Sequence, residues 1–142
     1  MHWAEHAAIS LGKNGEIQVC ASGITPSGEF HIGHLREILT AEMIHRSCLE
    51  IGLKSKYIFI VDSMDPLRRV YDFLSPSYEK YIGVPLAFIP APDSNGERSN
   101  NGVNYADYFL KPFLESLEHI GVIPEIIMNH EVYADGRFSQ KI

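Results

Sequence analysis

Cysteine and positive charge are both scarce in this chain. It contains two cysteines, Cys20 and Cys48, and no Cys-x-x-Cys pair, so neither a disulfide framework nor a cysteine-based zinc site is predicted. Lys and Arg number 12 against 18 Asp and Glu, giving a formal charge of -6. An acidic chain does not bind nucleic acid through bulk charge, so any nucleic-acid partner would have to meet a local patch.

Long apolar runs and targeting signals are also lacking. The longest apolar stretch, Tyr57–Val61, is far too short to span a bilayer. The first six residues have no basic start followed by an apolar run, so they do not form a signal peptide. A length of 142 residues with 45% hydrophobic and 21% charged residues predicts about one globular domain. The reducing cytoplasm is the expected compartment.

The first half of the chain has the pattern of a βαβ unit. Ile17–Ala21 is rich in β-formers and is predicted to be a buried strand. A loop with two Gly and a Pro follows, and His31–Ile51 then has apolar residues on one helical face, with Gly52 as the expected stop. Tyr57–Val61 is the second predicted strand. This order predicts an α/β fold with a parallel sheet.

The second half is less regular. Residues 66–92 contain several Pro and aromatic residues and have no clear period, and 90–104 has the composition of an exposed loop. Tyr105–Ile120 is predicted to be helical, with Pro112 indicating a kink or a late start. Glu125–Met128 is the expected third strand.

The connection between the first strand and the helix is where an open α/β sheet usually binds its ligand. Its glycines, Gly23, Gly28 and Gly33, do not form a dinucleotide fingerprint, and no Walker A lysine is present. His31 and His34 lie three residues apart at the helix start, so both rings can face the same side of the first turn.

A helix N-terminus offers N–H groups and a partial positive charge that suit phosphate. Imidazole N–H groups there could donate to phosphate oxygens in a transition state, and Gly33 would permit a close approach. Two histidines near a helix start are in most proteins only solvated polar residues. The preceding strand, the Gly/Pro loop and the following helix favour a nucleotide site.

His31-Ile32-Gly33-His34 resembles the HIGH signature of class I aminoacyl-tRNA synthetases. The string SGITPSG at residues 22–28, VDSMDPLRRV at 61–70 and YIGVP at 81–85 resemble class I lysyl-tRNA synthetase specifically. The similarity covers nearly the whole chain. The short His-x-Gly-His pattern is shared by many nucleotidyl transferases, whereas the longer string joined to it is far more specific.

The resemblance implies a Rossmann-like catalytic domain with an anticodon-binding helical domain behind it. The implied substrates are ATP with Mg²⁺, L-lysine and lysine tRNA. Lysine would attack the α-phosphate of ATP to give lysyl-adenylate, and the lysyl group would then move to the terminal ribose of the tRNA. Residues 1–142 would form the N-terminal half of the catalytic domain.

Site residues carried over by the resemblance fall into three groups. The catalytic pair would be His31 and His34. Lysine would meet Gly23 and Thr25, with Glu37 as a weaker candidate. ATP would be held by Pro26, Ser27, Gly28, His31, Gly33 and His34.

Two carboxylates in the motif after the second strand are further candidates. Asp62 and Asp65 follow that strand, at the sheet edge where such sheets bind ligands. They could equally be a loop cap ahead of Pro66.

Three departures from the family pattern stand out. The second class I signature, a mobile lysine-rich loop, is absent, and so is the anticodon-binding part. Residues 90–104 contain no Cys or His, so the zinc cluster of some relatives is not predicted. The pattern at Phe138–Ser139 starts a helix that is not completed. We therefore expect a partial chain that does not aminoacylate tRNA alone.

Two other functions stay open from the residues. One is a small nucleotidyl transferase of the same His-x-Gly-His superfamily. The other is a non-catalytic truncated paralogue that binds a nucleotide, tRNA or a synthetase partner. The seven histidines are scattered and include no His-Glu-x-x-His motif, so a metal site is not expected.

Overall fold

The computed structural model describes residues 1–13 and 15–137 and confirms the α/β fold. Its three strands form one open parallel sheet in the order β1-β2-β3, consistent with an incomplete Rossmann-like fold. The elements, in chain order, are α1 (Trp3–Leu11), β1 (Ile17–Ile24), α2 (Ile32–Glu50), β2 (Lys54–Val61), 3₁₀ helices at Pro76–Tyr81 and Leu86–Phe88, α3 (Tyr105–His119), β3 (Glu125–Met128) and α4 (Asn129–Ala134).

The described chain divides into two compact units. The first comprises residues 1–24, 31–60 and 122–127. Only alternate residues of β1 are buried, beginning with Gln18 and Cys20, while Ile17 and Val19 are exposed, so the prediction of a strand buried throughout was wrong.

Helix α2 packs on β1, and α1 packs on α2. The buried side chains of α2 include Ile38, Ala41 and Cys48. Ile38 belongs to the predicted apolar face, whereas Ile32, Met43 and Leu49 of that face are exposed, so only part of the prediction is confirmed.

A pair of hydroxyl groups joins three elements of this first unit. The Tyr57 hydroxyl on β2 donates to the carbonyl oxygen of Ile38 in α2 at 3.2 Å. Its single proton is then committed, so Ser22 on β1 donates to the Tyr57 oxygen at 2.7 Å. Burial raises the pKa of Tyr57, which keeps its hydroxyl protonated. The connection places the end of β1 and the first half of α2 in a fixed register.

The second unit comprises residues 25–30, 61–121 and 128–142, of which the last five lie outside the described residues. The core of this unit explains why residues 66–92 show no helical or strand periodicity in the sequence. The two 3₁₀ helices and the turns around them bury large side chains from irregular backbone, where neither a helical nor a strand period can appear. The core residues are Leu67, Leu74, Tyr78, Leu86, Ile89, Tyr105, Ala106 and Phe109.

Several predicted boundaries need correction. Strand β1 runs on to Ile24 rather than ending at Ala21, and β2 starts at Lys54, three residues before the predicted Tyr57. Helix α2 ends as predicted, with Gly52 in the left-handed region at φ +82°. The third strand, β3, has the predicted bounds Glu125–Met128.

Helix α3 begins at Tyr105, as predicted, and continues across Pro112, so of the two alternatives raised by this proline the late start is excluded. The side chain of Asn104 accepts the N–H of Asp107 at 2.8 Å and fixes this start. The segment 90–104 is largely exposed, as predicted, although Ala91, Pro92 and Gly96 are buried. The helix start predicted at Phe138–Ser139 lies outside the described residues.

Helix α1 was not predicted. The Nδ1 atom of His2 accepts the N–H of Ala4 at 3.4 Å, and Glu5 accepts the N–H of His2 at 3.1 Å, which together form a capping box. Ala4 and Ala8 then bury one face of the helix. Across residues 1–13 and 15–137, the helices are all too short or too polar to cross a membrane.

Candidate functional site

His31 and His34 close the first turn of α2 by capping it reciprocally. His31 is the N-cap residue with extended backbone, φ −133° and ψ 175°. Its Nδ1 accepts the N–H of Gly33 at 3.1 Å, while Nδ1 of His34 accepts the N–H of His31 at 3.0 Å. The ring centroids lie 3.9 Å apart. The two side chains therefore cap the helix start together and lie next to each other, as their spacing predicted.

This arrangement determines which nitrogen carries the ring proton. A neutral imidazole that accepts at Nδ1 must be protonated at Nε2. Both rings therefore present their N–H from Nε2, on the side opposite the cap. His31 is exposed and His34 is half-buried, so the pair lies at the protein surface, where a ligand can reach it.

The capping also corrects one expectation about phosphate binding. Backbone N–H groups at the helix start were expected to be available to phosphate. Those of His31 and Gly33 are instead taken by the two rings. A ligand at this helix end would be met first by ring N–H groups, with the helix dipole adding a favourable field for negative charge.

Gly33 provides the space that the His31 ring occupies. A Cβ atom at position 33 would lie 2.8 Å from Cε1 and 2.9 Å from Nδ1 of His31. A Cβ atom essentially never lies this close to another non-bonded heavy atom, so any side chain at this position would displace the ring. The requirement for glycine is thus local and steric.

The electrostatics favour a neutral His34. Burial lowers the pKa of His34 from its ordinary value, and the neighbouring His31 lowers it further. At neutral pH, His34 is therefore neutral. This is the form in which Nδ1 can accept the N–H of His31.

Residues 25–30 belong to the second unit, where residues 25–28 have defined partners or packing sites. The Thr25 hydroxyl donates to Oδ2 of Asp65 at 2.7 Å, and the carbonyl of Ser27 accepts the Tyr105 hydroxyl at 2.7 Å. Pro26 is fully buried. A Cβ atom on Gly28 would lie 3.2 Å from Cζ of Phe73. The loop therefore rests on side chains that are distant from it in sequence.

The two carboxylates after β2 have different partners. Oδ1 of Asp62 accepts the side-chain amide of Asn129 at 2.7 Å. Asp65 accepts the Thr25 hydroxyl and lies 3.7 Å from the Arg68 guanidinium. Burial raises the pKa of Asp62, and the adjacent Asp65 adds to this effect. The Asp62 side chain thus links the ends of two strands, a contact that neither of the two alternatives from the sequence, a ligand contact or a loop cap, included.

A second link next to it was missed in the sequence. The fully buried Ser63 accepts the backbone N–H of His130 at 3.1 Å, and its Oγ lies 2.8 Å from Nδ1 of the same residue. Residues 129 and 130 directly follow β3, and this position at the carboxyl end of a predicted strand was the signal that could have identified them.

The structure gives only the exposure and the location of Glu37 and Gly23, the two remaining candidates for the lysine pocket. Glu37 is exposed on α2 and lines a surface cavity of about 490 Å³, together with Ser22, Gly33 and Arg36. Gly23 is half-buried near the end of β1. The roles carried over for these residues, and for the two histidines and residues 25–28, stay predictions.

Metal-binding chemistry has no organised donor set in the part of the chain that is described. Within residues 1–13 and 15–137, no three His, Cys, Asp or Glu side chains come together as a group that could hold a metal ion. Both cysteines are buried and free.

Comparison with known proteins places this fold and helix start in a defined family. A family model described as tRNA synthetases class I (K) matches residues 1–142. A lysine–tRNA ligase of Picrophilus torridus is 44% identical over 142 residues, covering 100% of this chain and 26% of the relative. A lysine–tRNA ligase of Methanosarcina barkeri is 40% identical over 142 residues, covering 100% of this chain and 25% of the relative.

A third relative, a lysine–tRNA ligase of Methanococcus maripaludis, is 44% identical over 144 residues and again covers 100% of the chain and 26% of the relative. The chain thus spans about a quarter of the length of the curated relatives it matches. Because the family model extends over every residue of the sequence, the chain belongs to the class I (K) family of tRNA synthetases.

Proposed function

We propose that the protein containing these residues is a lysine–tRNA ligase and that residues 1–142 form the N-terminal half of its catalytic domain. The observation that carries the proposal is the family match over the whole chain, joined to the reciprocal histidine cap at the start of α2. The proposed substrates are ATP with Mg²⁺, L-lysine and lysine tRNA. Translation takes place in the cytoplasm, which is the proposed compartment.

In the first proposed step, a lysine carboxylate oxygen bonds to the α-phosphorus of ATP and pyrophosphate leaves. Negative charge builds on the phosphate oxygens as this happens. The Nε2–H groups of His31 and His34 would donate to those oxygens, and the positive end of α2 would add to the stabilisation. The reciprocal cap favours this role because it fixes the ring protons on Nε2 before the substrate binds.

In the second proposed step, a hydroxyl of the terminal tRNA ribose attacks the carbonyl carbon of lysyl-adenylate and AMP leaves. Correct placement of the reactants is the main contribution that a protein makes to such a transfer. Thr25 and Gly23 would contribute to the lysine pocket, and Pro26, Ser27 and Gly28 to the ATP site. Glu37 is the weakest of the proposed lysine contacts because its side chain is exposed.

Mg²⁺ is proposed to arrive with the phosphates of ATP. The two acidic candidates from the sequence, Asp62 and Asp65, accept hydrogen bonds from Asn129 and Thr25. Mg²⁺ bound with a nucleotide takes its oxygen ligands from the phosphates and water besides one or two carboxylates. Zinc is not proposed for this segment.

The test is lysine-dependent ATP–pyrophosphate exchange by the complete protein, run beside other amino acids and small acceptors. Exchange that requires lysine supports the proposal. Exchange with a different acceptor would instead identify another nucleotidyl transferase, and an absence of exchange would reject the activity.

The isolated 142-residue chain provides a second measurement. We expect no lysyl-tRNA formation from it, because these residues correspond to only about a quarter of the length of the lysine–tRNA ligases they match. Detection of lysyl-tRNA with this chain alone would contradict the proposed division of the catalytic domain.

A further inference from the structure

The loop at residues 25–30 is tied to the first residue of α3 by one buried hydroxyl. Tyr105 is fully buried, and its hydroxyl donates to the carbonyl oxygen of Ser27 at 2.7 Å. The Ser27 N–H in turn donates to the Thr25 carbonyl at 2.8 Å. Both backbone polar groups of Ser27 are therefore used to hold one conformation of the loop.

Tyr105 is itself held from several directions. Its backbone N–H donates to the Ile89 carbonyl at 2.8 Å. Its ring lies 4.9 Å from that of Phe109 and 6.4 Å from that of Tyr78, measured between centroids. A side chain so enclosed has few alternative rotamers. The hydroxyl is thus a fixed point on which the loop rests.

The Tyr105 hydroxyl in this contact is always a hydrogen-bond donor. Burial raises the pKa of Tyr105 far above the ordinary value for tyrosine, with nearby Tyr71 and Tyr78 adding to it. The hydroxyl stays protonated at all physiological pH values. It can therefore always donate to the Ser27 carbonyl.

A second contact also holds this loop in place. Gly28 lies so close to Phe73 that an added Cβ would be 3.2 Å from Cζ and 3.3 Å from Cε1 of the ring. Phe73 packs edge-on against Phe109 at 5.5 Å between centroids, next to Tyr105. The loop is thus held by a hydrogen bond at Ser27 and by an aromatic ring at Gly28.

We propose that two side chains position the ATP-binding loop: Tyr105 through the Ser27 carbonyl, and Phe73 through its ring against Gly28. Neither is among the residues proposed to contact ATP or lysine. The inference rests on the proposed function, in which Pro26, Ser27 and Gly28 contact ATP. It assigns to α3, which no motif connects to nucleotide binding, the task of setting the shape of that site.

The chain offers a matched control. Tyr78 is also fully buried in the same cluster, and its hydroxyl donates to a backbone carbonyl, that of Pro90, at 2.9 Å. Tyr78→Phe and Tyr105→Phe therefore remove the same group from the same surroundings. Only Tyr105→Phe removes a contact to residues 25–30.

The experiment compares both variants with wild type in the complete protein by lysine-dependent pyrophosphate exchange. Tyr105→Phe is expected to raise the KM for ATP about fivefold to tenfold, the effect of one lost buried hydrogen bond. The KM for lysine should rise less than the KM for ATP, because Thr25 keeps its own hydrogen bond to Asp65. Tyr78→Phe should leave both constants within about twofold. Equal changes in the KM for ATP in the two variants would overturn the proposal.

Hydrogen–deuterium exchange provides a readout that does not depend on activity. The peptide containing residues 25–30 should exchange faster in Tyr105→Phe and at the wild-type rate in Tyr78→Phe. Unchanged protection in Tyr105→Phe overturns the positioning role even where the exchange activity is present. Faster exchange in a protein without lysine-dependent activity supports the positioning role and rejects only the proposed function.

Phe73→Leu covers the case in which Tyr105→Phe does not fold. Phe73 is 44% exposed, so the shorter side chain is tolerated, and it removes the ring that supports Gly28. It should raise the KM for ATP selectively and increase exchange in residues 25–30. Wild-type values for both measurements in this variant would overturn the proposal.

Discussion

Nδ1 of His34 accepts the backbone N–H of His31 at 3.0 Å, and the two rings lie 3.9 Å apart between centroids. This contact performs two tasks at once. It satisfies an N–H group that the helix start would otherwise leave without a partner, and it commits the ring proton of His34 to Nε2. The stability of the helix start and the chemistry of the proposed site therefore depend on the same atoms.

Variants of His31 can separate these two tasks. His31→Ser retains a good N-cap side chain, so the free energy of unfolding should stay within about 0.5 kcal/mol of wild type. His31→Ala loses the cap and should be destabilised by about 1 kcal/mol. Both lose the Nε2–H group, and both should lower the rate of adenylate formation by an amount equivalent to about 3–4 kcal/mol.

The measurements for His31 are chemical denaturation and lysine-dependent pyrophosphate exchange in the complete protein. A His31→Ser variant with wild-type exchange kinetics would remove the ring from the mechanism and leave it only a capping role.

Gly33→Ala should reduce activity much more than stability. The added Cβ would lie 2.8 Å from Cε1 of His31, so the exposed ring must rotate away from the cap. The cost of the lost cap, about 1 kcal/mol, is offset by the better helix propensity of alanine, also about 1 kcal/mol. Thermal denaturation should change little, whereas pyrophosphate exchange should fall because the His31 ring is displaced.

Ile32→Ala is the control for Gly33→Ala. Ile32 occupies the neighbouring helical position and is 79% exposed, so its truncation leaves the two rings in place and should not alter exchange. If Gly33→Ala exchanged pyrophosphate at the wild-type rate, the position of the His31 ring would not matter for the reaction.

The sequence pattern was sufficient to locate β1 and α2 but not to identify which of their side chains are buried. Ile17 and Val19 of β1 are exposed, whereas Gln18 between them is buried. The histidines that cap α2 could be located from this helix start alone. Helix α1 was missed because its cap uses His2, a residue that is rarely considered a capping residue.

The rest depends on contacts between residues far apart in the chain. Tyr105 and Ser27 are 78 positions apart, and Ser63 and His130 are 67 positions apart. No local pattern encodes such pairs, because each is set by how loops and 3₁₀ turns fold onto one another. The residue types at the site could be predicted, whereas the direction of each hydrogen bond required the structure.

Asp62→Asn tests the role of the carboxylate that links β2 to Asn129. The asparagine oxygen can still accept the Asn129 amide, while the charge that burial and Asp65 disfavour is removed. We expect a higher free energy of unfolding than wild type at pH 7. Because the folded-state pKa of Asp62 is raised, wild type gains stability as the pH falls through that pKa, so the advantage of the variant should shrink toward pH 3.8.

Denaturation curves between neutral pH and pH 4, with Asn129→Ala as the control that removes the same hydrogen bond from the other side, measure this effect. A variant that is less stable than wild type at pH 7 would show that the Asp62 charge stabilises the fold. Pyrophosphate exchange in the same variant decides whether Asp62 also contacts a ligand, since a link between strands alone predicts unchanged kinetics.

His34→Asn tests the pH dependence of the reciprocal cap. Asparagine can accept the His31 N–H through its side-chain oxygen but does not titrate. The folded-state pKa of His34 lies below the ordinary value of 6.5, because burial and the neighbouring His31 disfavour its charged form. The unfolded chain therefore takes up a proton first, and wild type loses stability as the pH falls through 6.5 toward the lowered pKa.

His34→Asn should not lose stability in this way. The free energy of unfolding of the variant should therefore rise relative to that of wild type as the pH falls from 7.5 to 5.5. This interval surrounds 6.5, where the unfolded histidine takes up its proton. Comparison at each pH cancels the titration of the other histidines, which both proteins share. A constant difference across this range would mean that His34 has the same proton affinity in both states. In that case its ring would not depend on the cap, and the fixed Nε2 proton proposed for phosphate binding would have no basis.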